Sequence, residues 1–93
     1  MKNLKSLFIN DNEIEVIPRE IENLHNLNVL QLCNNRIKIL PEPLCSLKKL
    51  ERLWLDWNKI EILPLRFTEL SGLKEFKLEQ VKNHLKLYFN LIF

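Results

Sequence analysis

The apolar residues of this chain recur in two rhythms. In "LNVLQLCNN", residues 27–35, Leu30 and Leu32 stand either side of Gln31 in a Leu-x-Leu centre of period two, as in a strand with one buried face. Along the whole chain the pattern returns every 23 residues. Leu4, Leu27, Leu50 and Leu73 form one column, Leu7, Leu30, Leu53 and Phe76 a second, and Ile9, Leu32, Leu55 and Leu78 a third. The same step aligns Asn12, Asn35 and Asn58, then Ile14, Ile37 and Ile60, then Ile17, Leu40 and Leu63. Pro18, Pro41 and Pro64, with Ile21, Leu44 and Phe67, and with Leu24, Leu47 and Leu70, complete nine columns. A fixed period of this length marks a solenoid, in which each coil buries its apolar edge only against the next. The repeats run 4–26, 27–49 and 50–72, followed by a degenerate repeat and tail over 73–93.

The columns assign roles. Each proline ends the regular segment and cannot donate a backbone hydrogen bond, which suits a bend away from the sheet. The recurring Asn can turn inward, where its amide finds backbone groups of adjacent coils. Residues 23 apart become neighbours, about 4.8 Å apart where they lie in strands. Glu15, Lys38 and Glu61 then alternate in sign, Glu13 meets Arg36, and Glu51 meets Lys74. Exposed pairs of this kind are worth about 0–1 kcal/mol, so they tune register while the apolar columns hold the fold.

The segments "LKSLFINDNEIEVIPREIENLHN", "LNVLQLCNNRIKILPEPLCSLKK" and "LERLWLDWNKIEILPLRFTELSG" resemble the leucine-rich repeat family over nearly the whole chain. Leu-x-x-Leu-x-Leu-x-x-Asn-x-Ile followed by an apolar-Pro pair is its consensus. The resemblance implies an α/β solenoid: a right-handed coil with one short parallel strand per repeat on the concave side and a looser convex side. Three full repeats and a degenerate fourth give a four-stranded parallel concave sheet. The asparagine column becomes the family's ladder. The implied function is a non-catalytic protein–protein interaction module.

The ends depart from the pattern. In the fourth repeat Val81 replaces the ladder asparagine, Asn83 the next isoleucine, Lys86 the following apolar residue and Leu87 the proline. The tail "NHLKLYFNLIF" alternates instead. It reads as a cap folding back on the last coil, as an edge strand pairing with a second copy, or as accidental sequence after a truncated array. The first consensus leucine is residue 4, with no capping segment ahead of it. Uncapped coil ends predict self-association into a homo-oligomer, and equally suit a fragment of a longer effector or regulator.

The alternation that buries Leu53 and Leu55 turns Trp54 onto the concave surface. Trp54 shares its column with Phe8, Gln31 and Lys77; Asp56 with Asn10, Cys33 and Glu79. Arg52 aligns with Ser6, Val29 and Glu75, and Trp57 with Asp11, Asn34 and Gln80. Trp and Arg dominate binding hot spots, since they bury much area and still offer a polar handle. Phe8, Gln31, Cys33, Arg52, Trp54, Asp56, Trp57 and Lys77 therefore outline a candidate face for a protein or peptide. The competing account has Trp54 merely stacked over Lys77 or Arg52, and Trp57 covering a turn. A carbohydrate face is the other binding reading, with indoles stacking on sugar rings and Asp56, Gln31 and Asn34 serving hydroxyls.

Composition narrows the classes. A net charge of +2, with no Lys/Arg-rich stripe, argues against nucleic acid. The opening "MKNLKSLFIND" lacks the apolar core of a signal peptide, and no apolar span is long enough for a membrane, so a cytoplasmic location is expected. One glycine leaves no phosphate-cradling loop. Cys33 and Cys45 read as reduced thiols, without a Cys-x-x-Cys pattern for zinc. Neither His25 nor His84 is placed to serve Cys33 as a base, and Asp56 beside Glu79 reads as surface charge. No cofactor, metal or enzyme activity is expected.

Overall fold

The computed structural model describes residues 3–79. The tail, with all three readings of it, lies outside the described residues. Four three-residue strands, β1 (Ser6–Phe8), β2 (Val29–Gln31), β3 (Arg52–Trp54) and β4 (Glu75–Lys77), form one sheet in the order β1-β2-β3-β4. All three pairings are parallel, and their register is the sequence period itself: Leu7 faces Leu30, Leu30 faces Leu53, and Leu53 faces Phe76.

The convex side carries 3-10 helices at Arg19–Asn23, Glu42–Ser46 and Leu65–Glu69. Pro18, Pro41 and Pro64 sit immediately before them, at φ −69°, −80° and −72°. The pyrrolidine ring presets that angle, and the missing N–H costs nothing where a helix start has no acceptor for it. Each helix closes on a buried leucine, whose N–H returns to Ile21, Leu44 or Phe67. A charged bracket ties two convex turns, with Lys48 and Arg66 both 3.2 Å from the Glu69 carboxylate. The Arg66 hydrogen bond, then that of Lys48, holds the Glu69 carboxyl below the usual range.

Burial follows position in the stack. Leu27, Leu30, Leu50, Leu53, Leu55 and Ile60 are fully enclosed, whereas Leu4, Leu7, Ile9, Leu73, Phe76 and Leu78 of the outer coils are only partly covered. Among the described residues, only an inner coil has neighbours on both sides. Around Leu7, Ile9, Ile14 and Ile17 the described residues leave an open apolar cavity of about 360 Å³.

The asparagines show the same gradient. Asn58 is buried; its Nδ2 donates to Leu32 O (2.8 Å) and Leu55 O (3.1 Å), and its Oδ1 accepts the Ile37 N–H (3.1 Å). Asn35 repeats this one coil earlier, toward Ile9 O (2.9 Å), Leu32 O (3.0 Å) and the Ile14 N–H (3.1 Å). Asn12 has no described coil beneath it. It is exposed, and its Nδ2 reaches only the local carbonyls of Asn10 and Ile9.

Of the charge columns, Glu13–Arg36 (3.4 Å) and Glu51–Lys74 (3.5 Å) are ion pairs. A column of the opposite kind runs through Val16, Ile39 and Ile62, all apolar and all exposed. Ile39 and Ile62 bridge through their backbones in parallel, so their side chains point outward from a paired segment.

Candidate binding faces

On the concave sheet the outward column is Phe8, Gln31, Trp54 and Lys77, held in line by the strand register. Phe8 is 61% exposed. Trp54 is half-buried, with the Lys77 Nζ 4.0 Å from its ring centroid. Its Nε1 is enclosed and, among the described residues, has no hydrogen-bond partner. Trp54 is therefore less open than an outward-pointing indole on this face is expected to be: one face of the ring is covered by a cation and the N–H is turned inward. Arg52 does not take the stacking position; its Nε pairs with Glu75 at 3.7 Å, and Lys77 adds a contact to Glu75 at 3.6 Å.

The next column, Asn10, Cys33, Asp56 and Glu79, is occupied with joining coils. Asn10 Oδ1 accepts the Cys33 N–H (2.8 Å), its Nδ2 donates to Gln31 Oε1 (2.9 Å), and Asp56 Oδ1 accepts the Glu79 N–H (2.6 Å). Asp56 is thus bound to the backbone of the following coil. Among the described residues no group of three or more His, Cys, Asp and Glu side chains is gathered as a metal site requires. Cys33 is a half-buried free thiol, raised above its ordinary pKa by burial against an opposing hydrogen bond from the Asp56 backbone. Cys45, on the convex side, is wholly buried, which pushes its thiol up to about 11.

Trp57 lies off the strand, in the turn that leaves β3. Its φ is 61°, in the left-handed region, as is φ for Asn34 (57°) one coil away and Asp11 (60°) two coils away. Asp and Asn visit that region readily, but for a bulky side chain it costs about 1–2 kcal/mol. The turn is fixed by the backbone: the N–H groups of Asp11, Asn34 and Trp57 donate to the carbonyls of Cys33, Asp56 and Glu79. Trp57 nevertheless remains 55% exposed. Beside it a cleft of about 600 Å³ opens between Asp11, Glu13, Asn34, Arg36 and Lys59. Glu13, Arg36 and Lys59 fall outside the concave columns, because they follow the strand. The signal for this place was the Asp-Asn-Trp column, whose first two residues are those that tolerate a left-handed turn.

The geometry and the comparisons with known proteins agree. A family model described as "Leucine-rich repeat region" matches residues 1–91. The chain belongs to the leucine-rich repeat family. Among solved structures, a leucine-rich repeat protein of Leptospira interrogans is 33% identical, with a TM-score of 0.89 over 96% of this chain and 23% of its own. A plant peptide hormone receptor, RGFR1, is 34% identical, with a TM-score of 0.76 over 88% of this chain and 14% of its own. An internalin of Listeria monocytogenes is 28% identical, with a TM-score of 0.73 over 88% of this chain and 24% of its own. The repeats described here thus span at most about a quarter of the length of these relatives. No curated protein matches the sequence closely. Among the described residues of this leucine-rich repeat chain, no helix is long and apolar enough to cross a membrane.

Proposed function

We propose that this leucine-rich repeat chain is a non-catalytic interaction module that binds a protein or peptide along its concave strands. The observation that carries the reading is Phe8, a large apolar side chain 61% exposed on β1, in one outward column with Gln31, Trp54 and Lys77. With strands about 4.8 Å apart, a segment lying across the sheet meets a new side chain of this column at each coil. Phe8 supplies an apolar anchor, Gln31 a donor and acceptor, and the Trp54–Lys77 stack a broad cationic platform. Aromatic anchors ringed by polar groups are how interfaces concentrate their energy. The plant receptor's structure, in complex with RGF2, supports a peptide ligand for this arrangement of repeats.

The test is selection of a random peptide display library on the full chain. Selected peptides are expected to weaken tenfold or more, about 1.4 kcal/mol, on Phe8→Ser or Gln31→Ala. Leu65→Ser, on the convex side, serves as the control. Peptides that depend on Leu65 and ignore Phe8 and Gln31 would overturn the concave-face reading.

A further inference from the structure

We propose that the cleft beside Trp57 is a site for a neutral saccharide, distinct from the concave strand column and independent of what that column binds. The first observation is that Trp57 sits where the local backbone opposes it. The same left-handed turn is made at Asp11 and Asn34 by residues suited to it, and a 55% exposed indole contributes little to the core. An outlier of this kind, held in place by its surroundings, points to a function for the side chain.

The second observation is the chemistry of the cleft. Its acids, Asp11 and Glu13, match its bases, Arg36 and Lys59, so the formal charges cancel (−2 + 2 = 0). Glu13 and Arg36 already pair at 3.4 Å, and Asn34 Nδ2 donates to Asp11 Oδ1 at 2.9 Å. A phosphate or a metal ion finds no net field of the opposite sign to draw it in. A lipid or other apolar ligand would strip water from these groups without replacing their hydrogen bonds. An added peptide strand would have to compete for the N–H groups of Asp11, Asn34 and Trp57, which are already given to the coil above.

What remains is an exposed indole bordered by donors and acceptors of both kinds. A pyranose ring is complementary to it, with a C–H face for the indole and rim hydroxyls that both give and accept. At about 600 Å³ the cleft lies within the ~300–1,000 Å³ typical of small-molecule sites.

Saturation-transfer NMR on the full chain, with maltotriose, cellotriose, triacetylchitotriose and mannotriose each at millimolar concentration, tests the assignment. At least one trisaccharide is expected to receive saturation on its ring C–H protons, with affinity falling tenfold or more in Trp57→Asn and unchanged in Phe8→Ser. Asn is the residue that makes this turn at position 34, so the variant keeps the backbone; Trp57→Gly provides a second reading of the same loss. Absence of transfer to all four sugars, or transfer that survives both Trp57 variants, would overturn the proposal.

Discussion

Replacing Asn58 by Ala removes the most enclosed rung of the asparagine ladder, and the cost can be worked from its partners. The change leaves the Ile37 N–H and the carbonyls of Leu32 and Leu55 without the amide that served them at 2.8–3.1 Å. A buried group left unpaired costs about 1–3 kcal/mol, and an orphaned N–H is tolerated less well than a carbonyl with two lone pairs. Taking the N–H in full and the carbonyls in part gives about 2–4 kcal/mol, a large fraction of what a domain this size holds. Asn35 makes the same bonds toward a first coil that is only partly buried, so Asn35→Ala costs about 1–3 kcal/mol. Asn12 is exposed and bonds only to its own turn, so Asn12→Ala costs less than about 1 kcal/mol. Urea denaturation of the three variants, fitted to two states, reads the order directly. Equal losses at Asn12 and Asn58 would refute the claim that the ladder acts between coils.

Three further outcomes follow from the same geometry. At position 57 the usual preference for Ala over Gly should invert, with Trp57→Gly about 1 kcal/mol more stable than Trp57→Ala in urea denaturation, because only Gly enters the left-handed region freely; the ordinary order would show that the turn is not left-handed. Trp54→Ala should cost about 1–2 kcal/mol, more than an exposed aromatic yet less than the ~3–5 of a core Trp, from the Lys77 stack and the half-buried ring, and a thermal melt reads it. Burial raises the Cys45 thiol from 9.0 to about 11, so the native state keeps a proton that the unfolded chain has lost; stability is complete below pH 9 and falls, on the order of 2 kcal/mol, as pH rises toward 11. Denaturation midpoints at pH 8.5 and 10.5 should therefore drop further in the wild type than in Cys45→Ala.

The sequence period located the strands, their parallel register and the inward leucines, because each depends on one residue meeting its counterpart in the next coil. Leu30, Leu53 and Phe76 show this directly. Properties that differ between equivalent residues were not legible. Asn12, Asn35 and Asn58 are identical in sequence, yet only the last two have a described coil to bind on their first-repeat side. The period turned Trp54 outward but could not say that Lys77 would cover its ring while Arg52 went to Glu75. Trp57 reads as one more concave aromatic until its φ is known; the Asp and Asn in its column were the available sign that the chain turns there. The Asp56 carboxylate reads as free surface charge, whereas it fixes the Glu79 N–H of the following coil.

The concave-face account is tested most directly by mapping amide shifts of the labelled chain as a selected peptide is titrated in. The account predicts that the largest changes fall on residues 6–8, 29–31, 52–54 and 75–77, with the Trp54 indole moving among them. Changes gathered instead on the convex turns 19–23, 42–46 and 65–69, with the strands undisturbed, would contradict it.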